Sequence, residues 1–355
     1  MKRPSSLLLL ALFALACKSK DEAAPPTAES QAGLTAIAAP SDQVYAASSH
    51  LRIVDARAQG VVAKVDLGRA VRNLAFTPDG KVAVLAASDG LHLIDADLGK
   101  AIAQPTQHPA RWVELDDSGT RALVLEHQVT IGANDVREIS PFSLVTVELA
   151  TAQIVNSEEV GQRILYARPA TAELSGIVVS EAGEVALVAP GKALKEAQPF
   201  DLSTVVSGPS RIRHFPMVKH GVAYVPIEAE PARVVAIDLA TRQHRVFQLD
   251  GLITLRGLAL TPDRSTLVVN SGGTIALVDL KSGKVRAKLE PGAPSTGAAL
   301  SSDGRTLYLA QTVDGDGGAV LLVDLLTQKP LGKIHLDDIS PWALEVRPRS
   351  ALAAR

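Results

Sequence analysis

From residue 34 onward, apolar runs of three to seven residues alternate with clusters of Gly, Pro, Asp and Ser. The stretch Arg256 to Leu289 is the clearest case. Leu258-Ala259-Leu260 ends at Pro262-Asp263, and Thr266 to Val269 ends at Ser271-Gly272-Gly273. Thr274 to Leu280 ends at Ser282-Gly283, and Val285 to Leu289 closes the unit. Short Val-, Leu- and Ile-rich runs bounded by turn residues predict the strands of an antiparallel meander. One such sheet cannot bury both of its faces, so it needs neighbours of its own kind.

The neighbours are copies. Thr296 to Ile334 and Arg72 to Ala103 repeat the pattern, including an apolar residue followed by an acid at the end of the third strand. That landmark recurs as Val54-Asp55, Ile94-Asp95, Val147-Glu148, Ile237-Asp238, Val278-Asp279 and Val323-Asp324. The double gap before Asp238 accommodates a degenerate copy, Gly176 to Leu202, with Val185 to Val188 as its third strand. Seven units over residues 34–355 give roughly 46 residues each, the size of a four-stranded propeller blade. Solenoid repeats are usually shorter and sandwiches show no such repeat, so the pattern predicts an all-β, seven-bladed β-propeller of four-stranded antiparallel blades. The run Trp342 to Pro348 reads as a first strand with nothing after it. It is expected to complete unit one, closing the ring with strands from both ends of the domain in one blade. The longest insertion, His127 to Phe142, lies between the second and third strands of unit three.

The repeats resemble those of the YVTN family of β-propellers. Leu267-Val268-Val269-Asn270 stands at the family's second-strand motif, and Leu307-Tyr308-Leu309-Ala310 is a looser match. Arg256-Gly257-Leu258-Ala259-Leu260-Thr261-Pro262-Asp263 matches its first strand and turn. Val278-Asp279 and Gly283-Lys284-Val285 match the later elements. Units two, six and seven carry the resemblance, and units four and five match poorly. It implies the fold and not one activity, because a propeller hosts many unrelated functions.

The first 33 residues have a different composition. Lys2 and Arg3 precede a ten-residue apolar run, Leu7 to Ala16, too short to span a bilayer. It ends in Ala14-Leu15-Ala16-Cys17, which resembles a bacterial lipobox with Ala in place of the usual first Leu. Residues 1–17 are therefore read as a lipoprotein signal and Cys17 as the lipidated residue, with an ordinary secretory signal as the alternative. Residues 18–33, polar and rich in Ala and Pro, read as a flexible tether. The acyl chains would anchor the propeller to a membrane without a transmembrane helix. Lys18 rather than Asp after Cys17 favours the outer membrane over the inner one. With Cys17, the only Cys, lipidated, disulfides and Cys-based metal or nucleophile chemistry are excluded. Loss of Lys2 and Arg3 leaves 34 basic against 38 acidic side chains, a balance that argues against nucleic-acid binding.

Aligning the first strands on the turns that end them places Arg72, Arg111, Arg163, Arg213 and Arg256 at one equivalent position, with Thr296 and Trp342 in the other two units. First strands line the channel of a propeller, so the five arginines are expected at one channel mouth. A ring of guanidiniums is costly unless anions neutralise it, and the planar fork of Arg suits carboxylate or phosphate. The neutralising groups are either an external anionic ligand or loop acids from the same end: Asp89, Asp135, Glu138, Glu181, Glu184, Glu228, Glu230, Asp314 and Asp316. Trp112 and Trp342 are expected near that mouth, as part of a site or as a plug.

Other chemistry is sparse. Asp314-Gly315-Asp316-Gly317-Gly318 has the alternating acids of a calcium loop but not its distal Glu, and reads as a glycine-rich turn. The eight His show no zinc-ligand spacing; His214 and His220 merely flank one strand. There is no nucleophile elbow, phosphate loop or haem-attachment Cys-x-x-Cys-His. The expected protein is a monomeric, membrane-anchored binding or scaffold module of the cell envelope. It is read as non-enzymatic, without metal or cofactor, and as binding an anionic small molecule or a protein partner at the arginine-lined mouth. The alternative is a lactonase-like hydrolase or a propeller oxidoreductase with its active site at that mouth, since related propellers include both and such sites leave no local motif.

Overall fold

In a computed structural model of the chain, residues 42–116, 118–131, 137–202, 211–313, 317–336 and 339–348 are described, with backbone only at 130, 131, 137 and 138. The signal, Cys17 and the tether lie outside the described residues, as do Asp117, Asp135, Asp314 and Asp316. Among the described residues, seven four-stranded antiparallel sheets form a seven-bladed β-propeller. Blade two is representative, with strands Val71–Phe76, Val82–Ala87, Gly90–Asp95 and Lys100–Ala103 in sequence order. From blade six round through blades seven and one to blade three, first strands of neighbouring blades touch, which makes them the innermost. Blades three to seven begin with first strands at Ala110–Leu115, Ile164–Arg168, Met217–Lys219, Gly257–Leu260 and Ser295–Leu300. Blade four is the degenerate one, with Val185–Val188 as its third strand and only Gln198–Pro199 as its fourth.

Blade one is closed as expected. Ala343–Val346 pairs antiparallel with Ala47–Val44 as the inner strand beside Gln43–Ala47, His50–Asp55 and Gly60–Asp66. The apolar core is divided between blades, because each sheet buries both faces against its neighbours. One cluster joins Val44 and Leu344 of blade one to Tyr308 and Val320 of blade seven. Another joins Tyr45 and Ala343 to Phe76 and Leu85 of blade two. Three fully buried tyrosines carry a hydroxyl into this interior, where it needs an acceptor. Each finds one on the adjacent blade: Tyr45 donates to the Ala96 carbonyl (2.7 Å), Tyr166 to Glu114 (2.8 Å) and Tyr308 to Asp42 (3.0 Å).

The repeated motifs have plain structural causes. After the first strand, Thr77, Thr261 and Ser301 donate to Asp79, Asp263 and Asp303 two residues on. The same hydroxyls accept the N–H five residues on, fixing the turn. The acids at the third-strand landmark, Asp55, Asp95, Asp238, Asp279 and Asp324, accept backbone N–H groups of the next turn. Both are local side-chain turn devices.

The Pro and Gly of the first turn interlock from blade to blade. Gly119 and Gly304 have φ of +70° and +71°, and a Cβ on either would collide with Pro78 or Pro262 of the preceding blade. Gly80 meets the Pro348 carbonyl in the same way. Gly119→Ala and Gly304→Ala should therefore each destabilise by about 2 kcal/mol, from left-handed backbone strain plus displaced proline packing. Urea unfolding would measure it, and a change below about 0.5 kcal/mol would contradict the interlock.

Candidate functional site

First strands begin where second strands end. Val71 pairs with Ala87 and Ala110 with Glu126, so residues at the start of a first strand share one end of the ring with the loops between second and third strands. The five aligned arginines fall at this end. Arg72, Arg111 and Arg213 line one cavity of about 540 Å³, together with Trp342, His127 and Phe215. Arg163 and Arg256 are not in its lining. The insertion of blade three forms a hairpin, Val129–Ile131 paired with Arg137–Ile139, and Val129 and Ile139 form part of the cavity wall.

Loop acids meet some of the arginines and not others. Glu181, on the loop after the second strand of blade four, pairs with Arg111 and with Arg163 (3.4 Å). Glu228 pairs with Arg213 at 3.4 Å. Asp89 is taken by Arg69 (2.6 Å) and His92 (2.9 Å) instead, and Glu184 accepts from the Ser180 hydroxyl. Among the described residues no carboxylate lies within ion-pair distance of Arg72 or Arg256. Arg163 is 78% exposed, so its pair is worth at most about 1 kcal/mol.

Two histidines stand between arginines. His127 is held below the usual imidazole range by burial and by Arg111 and Arg72, with Glu181 opposing. Its Nδ1 is buried without a hydrogen-bond partner among the described residues. Its ring lies 4.7 Å from Phe142, and Arg111 stacks over the same Phe142 at 5.7 Å. One aromatic ring thus fixes both polar groups. His214 is pushed down to about 4 by burial, then by Arg256 and Arg213. Both histidines are neutral at pH 7 and the mouth's charge comes from its arginines.

The His214 shift has a consequence for stability. The unfolded imidazole binds its proton near pH 6.5 and the folded one only near 4. Stability present above pH 6.5 is therefore lost as pH falls from 6.5 to about 4, by about 3 kcal/mol. His214→Gln should flatten the melting temperature across that window. An unchanged pH profile would mean that neither burial nor the neighbouring arginines hold this ring deprotonated in the folded chain.

The tryptophans separate. Trp342 is 50% exposed at the mouth, whereas Trp112 is 4% exposed and packs edge-on against Tyr166 between blades three and four. The expectation that both stand at the mouth is corrected: consecutive residues of a strand point to opposite sides, so Arg111 at the mouth sends Trp112 into the core.

Further down the channel wall, Glu114 holds Arg168 and the Tyr166 hydroxyl. Glu345, on the closing strand, is open to water yet enclosed by protein, and burial pushes its carboxyl up to about 7 against the opposing charge of Lys219. Sequence reasoning missed His127, Phe142 and Phe215 as parts of the site. The placement of His127 at the end of a second strand was the available signal. His214 and His220 do not converge on a shared position: His220 sits in the turn after the first strand of blade five. Among the described residues no three of His, Asp and Glu are grouped as metal ligands.

Comparison with known proteins bears on the fold. No protein-family model and no curated relative matches the sequence. A functionally unknown protein from Desulfotomaculum acetoxidans is similar in structure, with a TM-score of 0.66 at 12% identity over 87% of this chain and 100% of that one. AztD from Citrobacter koseri gives 0.61 at 11% identity, covering 87% and 98%. Dihydro-heme d1 dehydrogenase NirN, solved in complex with DHE, gives 0.56 at 16% identity, covering 86% and 74%. At these identities the likeness establishes the propeller class and nothing finer.

Proposed function

We propose that this propeller is an extracytoplasmic binding module, tethered to a membrane through Cys17, whose arginine-lined mouth captures an anionic ligand or an anionic surface of a protein partner. The observation that carries it is the convergence of Arg72, Arg111 and Arg213 on one cavity, with Arg72 lacking a carboxylate partner among the described residues. An uncompensated guanidinium beside a partly enclosed cavity favours occupation by an anion. Titration of the full chain with citrate and with inorganic phosphate, by calorimetry, tests it. Binding that weakens as sodium chloride is raised from about 0.05 to 0.5 M supports the reading, and no heat from either anion counts against it.

Anchoring has its own test. Cys17→Ser should move the protein from the membrane fraction to the soluble fraction, and unchanged fractionation would overturn the lipoprotein assignment. Lys18 in place of an Asp after Cys17 supports outer-membrane residence, which separation of outer from inner membranes would test.

A second reading has one observation in its favour: neutral His127 stands beside Arg72 and Arg111, as a general base beside an anion-stabilising group would. A lactonase-like hydrolase would then turn over a chromogenic lactone or ester at the mouth, and His127→Gln would abolish turnover while sparing binding.

A further inference from the structure

The cavity is larger and more apolar on one side than a small inorganic anion requires. Arg72 and Arg111 border it with His127, while Trp342, Phe215 and Ile139 form apolar wall. Trp342 and Ile139 are 50% and 54% exposed, large apolar surface left open beside guanidiniums. At about 540 Å³ the space is that of a small-molecule pocket, where apolar walls hold a ligand's body and a few polar groups fix its head. Phe142 stacks with both Arg111 and His127, so the polar end is preorganised.

We infer that the mouth takes an organic anion with an apolar body: a carboxylate or phosphate head held between Arg72 and Arg111, and an aliphatic or aromatic body lying against Trp342, Phe215 and Ile139. This rests on the anion-binding reading and narrows it to one ligand class. His127 lines the same end of the cavity, and its buried Nδ1 has no hydrogen-bond partner among the described residues. Covering Trp342 removes apolar surface from water, so affinity should grow with the body and not with the head alone.

The two tryptophans make the test direct, because Trp112 is buried in the core and Trp342 stands in the cavity. The full chain is titrated with octanoate, octan-1-ol, acetate, octyl phosphate and inorganic phosphate, following Trp emission and binding heat. Octanoate and octyl phosphate should each bind at least about tenfold tighter than acetate, inorganic phosphate or octanol. They should shift Trp emission to the blue. The spectral shift should vanish in Trp342→Phe while binding heat persists, and affinity should fall about tenfold or more in Arg72→Gln. Equal affinity for octanoate and acetate would overturn the inference while leaving the mouth an anion site. Octanol binding as tightly as octanoate would overturn the inference and the anion reading together, as would absence of binding by all five probes.

Discussion

A chain ending at Ser340 should not form the native ring. It loses the inner strand of blade one, and with it the pairing of Val44 to Ala47 with Val346 to Ala343. Leu344 and Val346 leave the cluster they share with Tyr308, Val320 and Leu322 of blade seven. Arg347 goes as well. Its guanidinium donates to the Gly80 carbonyl (2.6 Å), the Gln43 side chain (2.9 Å) and the Ala96 carbonyl (3.2 Å), and pairs with Asp97 at 2.5 Å, so it ties the closing strand to blade two. Burial of the two aliphatic side chains contributes roughly 2 kcal/mol each, and hydrogen bonds to a charged group about 1.5–3 kcal/mol each. The sum is comparable with the whole net stability of a domain, about 5–15 kcal/mol. Leu344→Ala gives the graded version, a loss of about 2–4 kcal/mol in urea unfolding. A truncated chain that unfolds cooperatively at the full-length midpoint would contradict closure by this strand.

The second large effect has opposite signs at two residues. Glu181 occupies Arg111 and Arg163, so an incoming anion competes with it. Glu181→Gln should strengthen anion binding about tenfold while slightly lowering the melting temperature. Arg72→Gln should weaken binding about tenfold to a hundredfold, the worth of one charge-assisted hydrogen bond, and leave the melting temperature unchanged because Arg72 has no ion pair among the described residues. If the arginines serve only to neutralise loop acids, Glu181→Gln lowers stability and changes no affinity. Calorimetric titration of both variants with citrate separates the outcomes.

Much of the fold is legible in the chain because its signals are local. Alternating apolar runs, the Thr-Pro-Asp and Ser-Ser-Asp turns and the Asp after each third strand act within about six residues of themselves. Even closure could be read, because Trp342 to Pro348 repeats the first-strand pattern and pairs with Gln43–Ala47 to complete blade one. By the same alignment five arginines are expected at one mouth, and three of them, Arg72, Arg111 and Arg213, line one cavity while Arg163 and Arg256 do not. Their charge balance could not be read in this way. Glu181 belongs to the degenerate blade four, and its reach to both Arg111 and Arg163 depends on how neighbouring blades are placed. Trp112 was misplaced by a single residue of register, since the alternation of a strand sends it inward when Arg111 faces the mouth. The group of buried Tyr166 with half-buried Glu114 and Arg168 joins blades three and four across some fifty residues of sequence, and no periodicity announces such a pairing. His127 and Phe142 bracket the insertion and meet only when it folds back as a hairpin.

The most direct test of anion binding at the arginine-lined mouth is the thermal melting of the full chain and of its Arg72→Gln/Arg111→Gln variant, each with and without a panel of carboxylates and phosphates. A ligand at a hundred times its dissociation constant stabilises the folded state by about 2.7 kcal/mol. If the mouth binds an anion, the melting temperature of the wild-type chain rises with at least one of them, and that of the variant does not. No rise in either protein, or the same rise in both, would contradict anion binding there.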